Sequence, residues 1–370
     1  MTVRDIIGIL EEISPLAYSE DFDNTGLLVG NEQMEISGVL ITLDTLETVV
    51  DEAIEKGCNL IVSFHPIIFS GLKKITGRTY VERSVLKAIK NDIAIFSCHT
   101  ALDNAWNGVN AMICEKLGLT NREILIPQEA TIKKLTTFVP RNDLENVRQA
   151  LFDAGAGNIG NYDNCSFNIE GTGTFKGNEL SSPVIGEKGE MRFESEIQLT
   201  ITYKKHLQNA ILKALFEVHP YEEVAYEIST LENYNQHIGM GMVGNLKETM
   251  DEKEFLTFLK RTMETGCVRH SPLLHKPVSR VAVLGGSGSF AIEAAKRAGA
   301  QIFVSADFKY HDFFRAEKAL VLADVGHYES EQYTKDLLFS FLTKKITNFA
   351  PALPKGIVKS EIITNPISYV

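Results

Sequence analysis

The stretch GVLITLDTLETVVDEAIEKGCNLIVSFHP, Gly38 to Pro66, decides the fold. Val39–Leu43 is a short apolar run with the character of a buried strand, Leu46–Lys56 carries helical spacing, and Asn59–Ser63 is a second buried run. Strand, helix and strand in that order predict a βαβ unit with parallel strands. The pattern continues with a helix over Val81–Asn91, a strand over Ile93–Ser97 and a helix over Asn110–Leu117. Upstream, Thr2 and Asp5 have capping-box spacing before Ile6, Ile7 and Leu10, which predicts a first helix that Pro15 stops.

Past residue 130 the character changes. A strand at Leu135–Val139 and a helix at Leu144–Ala154 lead into a Gly-, Asn-, Ser- and Thr-rich stretch, Gly155–Gly189, with strand-like pieces between turns. A strand at Glu196–Tyr203, a helix at Leu207–Phe216 and a strand at Val224–Ile228 complete a β-α-β, hairpin, β-α-β order, that of a ferredoxin-like α+β module. A glycine-marked strand returns near residue 240, and Val281–Leu284, Gln301–Ser305 and Ala319–Ala323 again alternate with helices. The expected architecture is an α/β framework, residues 1–129 and 239–370, interrupted by an α+β insert over 130–238. A tandem of two separate domains is the rival arrangement.

The chain has 370 residues, a size at which single cores give way to more than one domain. With 37 basic and 48 acidic residues its net charge is −11, which argues against a duplex nucleic-acid binder. Five cysteines without a CxxC pair predict reduced thiols. The opening MTVRDIIGILEEISP has no uninterrupted apolar run, and no stretch reaches the ~18 apolar residues of a membrane span, so a cytoplasmic protein is expected.

Ligands of open α/β sheets gather beyond the carboxyl ends of the strands. The residues there are Asp44; Phe64, His65 and Pro66; His99 and Asp103; the GGSGSF turn; Asp307, Lys309 and His311; and Asp324, His327 and Glu331. Four of the nine histidines fall in these loops, three of them with carboxylates. Imidazole and carboxylate without thiolate suit zinc, iron or manganese. His327 and Glu331 are four apart, as are His99 and Asp103, so each pair shares one face of a helical turn. His206, His219, His237, His270 and His275 are expected to serve in loops and hydrogen bonds instead. Gly286, Gly288 and Ala291 also match G-x-G-x-x-A after a strand, with Asp307 19 residues after Gly288, which keeps a nucleotide-binding turn among the alternatives.

Six stretches occur in an order typical of one group: FDNTGLLVG (Phe22–Gly30), SFHPIIF (Ser63–Phe69), HTALDNA (His99–Ala105), GGSGSF (Gly285–Phe290), SADFKYHD (Ser305–Asp312) and DVGHYESE (Asp324–Glu331). They resemble the Nif-three-like dinuclear-metal proteins, often catalogued as GTP cyclohydrolase I type 2 homologues. GNIGNYDNCSF and HPYEEVAYE are similar to the PII- or CutA-like insert of the long members. The resemblance implies two similar α/β halves facing each other, an inserted ferredoxin-like α+β domain, a toroidal homohexamer, and up to two divalent ions per subunit, zinc first and iron or manganese next. Carried over by motif, His65 and Asp103 bind the first ion, His327 the second, and Glu331 bridges both.

One position departs from the family's His-His-Pro: the first His is Phe64 here, and a benzyl group has no lone pair to donate. The second ion is therefore expected to be held more weakly. His99 is the nearest substitute by sequence, with a role in orienting Asp103 preferred, and it is the candidate catalytic proton shuttle. Lys309 or the Gly286–Ser289 backbone is the candidate phosphate holder. These residues point to a metal-dependent hydrolase of a nucleotide-like small molecule. The alternative is a non-catalytic metal-binding or regulatory ring with a sensing or gating insert.

Overall fold

The computed structural model describes residues 1–349 and 353–370. In chain order the elements are α1 (Val3–Leu10), β1 (Gly26–Val29), β2 (Val39–Thr42), α2 (Glu47–Lys56), β3 (Leu60–Ser63), α3 (Tyr80–Lys90), β4 (Ala94–Ser97), α4 (His99–Asp103), α5 (Val109–Lys116) and β5 (Thr120–Pro127). Then follow β6 (Ile132–Pro140), α6 (Leu144–Asp153), β7 (Phe167–Lys176), β8 (Met191–Lys204), α7 (Gln208–Val218) and β9 (Tyr226–Thr230). The chain closes with β10 (Gly239–Met250), α8 (Glu252–Thr262), β11 (Arg269–His270), β12 (Val278–Ser287), α9 (Ile292–Arg297), β13 (Ile302–Ala306), β14 (Val321–Asp324), α10 (His327–Glu331), α11 (Thr334–Phe349) and β15 (Ile357–Lys359).

The chain divides into two compact units: Met1–Pro127 with Gln236–Val370, and Gln128–Asn235. The first unit holds a sheet ordered β1-β4-β3-β2-β15 and another ordered β11-β14-β13-β12-β10-β5. Each contains a parallel triplet, β2-β3-β4 in one and β12-β13-β14 in the other, and each triplet is flanked beyond its last strand by an antiparallel strand, β1 or β11. These are the two similar α/β halves. The triplet strands VLIT, LIVS, AIFS, IFVSA and VLAD are buried at every position, as strands covered on both faces must be. One apolar cluster takes Val39, Val62 and Phe96 from the first sheet together with Val283, Val304 and Val325 from the second half.

Local chemistry starts the chain as its sequence specifies. Thr2 accepts from the Asp5 N–H while Asp5 accepts from the Thr2 N–H, and Val3, Ile6 and Leu10 face the core. The helix ends at Leu10, short of Pro15, where the Glu12 N–H donates to the Ile9 carbonyl and the Ile13 N–H to the Leu10 carbonyl, i→i+3 bonds that tighten the turn before the proline is reached.

The second unit is an antiparallel sheet ordered β7-β8-β6-β9, built in the sequence β-α-β-β-α-β, the ferredoxin-like arrangement. Its core pairs Leu135, Val139, Leu199 and Ile201 of the sheet with Val147 and Leu151 of α6 and Ile211 and Leu215 of α7. The unit occupies a simple topological place: β5 and β10 are antiparallel neighbours whose ladder includes Pro127 opposite Gly239, so the whole unit stands where a hairpin loop would be.

Candidate metal centre

The site lies at the carboxyl ends of the two parallel triplets. His65 leaves β3 in a turn held by three bonds. The Ser63 hydroxyl donates to the His65 carbonyl at 2.9 Å, the Ser97 hydroxyl donates to the Phe64 carbonyl at 2.7 Å, and the His65 N–H donates to the Leu43 carbonyl at 2.9 Å. From the other half, His327 opens α10 directly after β14. The Ser330 hydroxyl donates to the His327 carbonyl at 2.7 Å and accepts the Gly286 N–H at 2.9 Å, tying α10 to the glycine turn after β12.

Glu331 sits between the imidazoles and is only 3% exposed. Its Oε2 is 3.1 Å from His65 Nε2 and 3.2 Å from His327 Nε2. One ligand atom each from His65, His327 and Glu331 lies within 4.8 Å of the others, the spacing of a shared cation. His65 Nε2 and Glu331 Oε2 are sealed from solvent and make no hydrogen bond, close as they are. Such orphaned buried atoms are costly unless something lies between them. Two imidazoles and a carboxylate are a donor set that fits a zinc or non-haem iron centre.

Behind each imidazole stands an aspartate. His65 Nδ1 pairs with Asp44 Oδ1 at 2.8 Å and His327 Nδ1 with Asp307 Oδ2 at 2.6 Å. These bonds place the Nδ1 proton and leave Nε2 facing Glu331. The Thr364 hydroxyl in turn donates to Asp44 Oδ2 at 2.5 Å. Asp307 has φ +58 and His99 φ +28, left-handed conformations uncommon for such residues and kept here where they aim side chains at the site.

The electrostatics show how tightly the charges are packed. Burial alone depresses the His65 imidazolium, but the nearby Glu331 charge and the bonded Asp44 carboxylate outweigh it and carry its pKa up to about 10. His327, likewise opposed by burial, is carried by Asp307 and Glu331 to about 11. Burial pushes Glu331 up, and the two imidazoles more than reverse it, to about 2. Asp103 goes the other way: burial and then the Glu331 charge hold its pKa well above the usual carboxylate range.

Asp103 closes α4, and its Oδ1 is also buried without a hydrogen bond, although the carboxylate lies outside the close group of three. His99 is placed differently from the expectation that it orients Asp103. Its Nδ1 binds Asp23 Oδ1 at 2.7 Å, and Asp23 is fixed by the Thr100 N–H at 3.1 Å and the Thr100 hydroxyl. A proximity argument along the sequence favours Asp103, four residues away; the fold instead brings Asp23 from the loop before β1. The His99 ring stands edge-on to His65, with centroids 5.4 Å apart. Phe64 is fully buried, its ring 4.9 Å from His65 and 5.7 Å from His99.

The glycines of GGSGSF have packing reasons. Gly286 has φ +68, and a Cβ there would lie 2.4 Å from Glu331 Oε1; a Cβ on Gly288 would lie 2.0 Å from Ser305 Oγ. The turn forms a wall against Glu331, and the helix after it, α9, has six residues. Lys309 and His311 are exposed beyond Asp307. Sequence reading placed Asp44 at a strand end without a role and Asp307 only as the acidic residue of a nucleotide-binding turn, and it missed Asp23 and Thr364, whose partners lie 76 and 320 residues away in the chain.

The fold and site together define a class: two-sheet α/β frameworks that carry a candidate histidine–carboxylate metal centre where the strand ends meet. The model of the family Duf34/NIF3 (NGG1p interacting factor 3) matches residues 1–366, and the chain belongs to that family. It is 40% identical to the GTP cyclohydrolase 1 type 2 homolog of Bacillus subtilis, over 99% of this chain and 98% of that protein. It is 36% identical to the protein of the same name from Halalkalibacterium halodurans, over 99% of this chain and 98% of that one. Among solved structures, a Bacillus cereus protein related to NIF3 superposes with a TM-score of 0.84 at 37% identity, over 100% of this chain and 99% of that one. Among the described residues no helix is long and apolar enough to cross a membrane.

Proposed function

We propose that the chain binds divalent metal, zinc first and iron or manganese next, and uses it as a metal-dependent hydrolase of nucleotide-like substrates. The observation that carries this is the convergence of His65 Nε2, His327 Nε2 and Glu331 Oε2, with the first and last buried and lacking hydrogen bonds. The names of the curated relatives make GTP and other purine nucleotides the first substrates to try. A bound divalent ion supplies Lewis acidity and lowers the pKa of a water that it holds.

The chain's own residues supply the rest. His65, His327 and Glu331 hold the ion, Asp103 offers a further carboxylate, and Asp44 and Asp307 keep both imidazoles in the tautomer that presents Nε2. His99, with Nδ1 committed to Asp23, has Nε2 free to pass a proton beside His65. Phe64 stands where the family pattern has a ligand, so a second ion would be held more weakly than the first. The same substitution favours a second reading, a non-catalytic metal-binding ring, because a weakened second position removes half of a dinuclear centre.

Elemental analysis of metal per chain, followed by product release from purine nucleotides, tests these readings. Wild type is expected to hold about one ion, Phe64→His about two, and Glu331→Gln about none, since a neutral amide loses the shared charge. Two ions in wild type would remove the role given to Phe64. No metal in wild type or Phe64→His would remove the centre itself. Metal-loaded protein that turns over no purine nucleotide and no phosphoester leaves the non-catalytic reading.

A further inference from the structure

The second unit contains a cavity that takes no part in the metal centre. Its sheet carries α6 and α7 on one face through Leu135, Val139, Leu199 and Ile201. Residues of the opposite parity on β6 and β8, Phe138, Glu196 and Gln198, look the other way, and the register brings Ile169 and Gly171 of β7 beside Gln198 and Glu196 on that face. Over them folds the segment after β7, and together with the Tyr221–Ala225 turn it borders a half-open cavity of about 530 Å³. Phe138, Ile169, Phe175, Val184 and Ile185 give this space largely apolar walls. Its size is that of a small-molecule site.

At its floor is a carboxylate. Glu196 is only 7% exposed. Its Oε1 accepts the Tyr221 hydroxyl at 2.8 Å, and no cation pairs with the group among the described residues. The neighbouring arginines are committed elsewhere, Arg192 to Glu194 and Arg141 to Glu170. The surround is built around this carboxylate. The Tyr221 N–H donates to His219 Nδ1 at 3.2 Å, and His219 Nε2 donates to the Phe138 carbonyl at 3.0 Å. The Ser182 N–H donates to Glu222 Oε1 at 2.7 Å, fastening the covering segment to the same turn. Two glycines of β7 make the room: a Cβ on Gly173 would lie 2.1 Å from Glu196 Oε2, and a Cβ on Gly171 would meet nothing within 4 Å.

A buried carboxylate without an ion-pair partner is expensive, and the one cation among the cavity's lining residues, Lys176, is exposed and makes no ion pair with it. We infer that this chamber is a binding site for a small organic monocation, a primary ammonium on an aromatic or aliphatic body, with the ammonium on Glu196 and the body between Phe138, Ile169, Phe175 and Val184. The inference stands apart from the metal reading and holds or fails without it.

Phenethylammonium chloride is the probe, titrated calorimetrically into the full-length protein, with 2-phenylethanol as its neutral counterpart and phenylacetate as its anionic one. The expected result is one saturable site per chain for the ammonium. Affinity should be at least about tenfold lower for 2-phenylethanol, and for the ammonium on Glu196→Gln, as loss of a charged hydrogen bond requires. Gly171→Leu puts a side chain into the open space while leaving a strand-compatible backbone, so it should abolish binding at an unchanged melting temperature. No saturable binding to wild type, unchanged affinity in both variants, or phenylacetate binding as tightly as the ammonium would each overturn the inference.

Discussion

Glu331 Oε2 stands 3.1 Å and 3.2 Å from two imidazoles that come from different halves of the framework, and an aspartate fixes each imidazole from behind. That arrangement makes the aspartates measurable. Asp44→Ala or Asp307→Ala should each weaken metal binding about 10–100-fold in competition with a chromophoric chelator. Thr364→Val, which removes only the hydroxyl behind Asp44, should cost less than Asp44→Ala. An Asp307→Ala protein that holds metal as tightly as wild type would show that the bond to His327 orients nothing. Gly286 is the other residue to probe. Its φ of +68 and the 2.4 Å approach of a Cβ to Glu331 Oε1 mean that Gly286→Ala must move the ligand or strain the turn. A loss of more than ~1 kcal/mol in denaturant unfolding is expected, together with reduced metal content.

Among the elements, β15 is held to the first sheet by a polar clamp. Glu52 on α2 is buried, accepts from the Ser360 hydroxyl and from the Glu361 N–H at 2.8 Å, and pairs with Lys56 at 3.2 Å. Burial raises the Glu52 pKa, but these partners outweigh it and hold the group below its ordinary value of 4.5. A folded-state pKa below the unfolded one gives stability that is present above pH 4.5 and lost as pH falls through the folded value. Glu52→Gln should therefore cost about 1–3 kcal/mol in urea at pH 7, and the gap to wild type should narrow at acid pH; a constant gap would assign the loss to packing. The same scale shows what the sequence could reveal. VLIT, LIVS and AIFS were legible because they are short, apolar and bounded by helix signals, and His65, His327 and Glu331 because strand ends in such a sheet are where ligands gather. The hairpin strand FNIEGTGTFK was legible only as strand-like pieces between turns, without bounds, since exposure along most of its length erases the alternation that marks a half-buried strand. The link between His99 and Asp23 was hidden because it is made by tertiary folding across 76 residues, for which no spacing rule exists.

For the molecule as a whole, the homohexamer is a proposal that the surface of the second unit makes testable. Phe167 on β7, an edge strand, and Met191 and Phe193 on β8 are large apolar residues exposed by 60% or more. Edges and patches of this kind are covered in stable proteins. Light scattering after size exclusion should return a mass of about six chains, and Phe167→Glu with Phe193→Glu should lower it while the melting transition persists. A wild-type protein of monomer mass would remove the ring. The ladder between β5 and β10 has a consequence of another kind. Because Pro127 and Gly239 stand opposite each other, the chain departs for the second unit and returns at neighbouring rungs. The unit is thus a cassette: a tight turn between residues 127 and 239 would close the same ladder, retain the candidate metal ligands and delete the cavity of the second unit. A lineage could gain or shed the whole module in a single recombination, without re-registering one strand of the framework that holds the metal site.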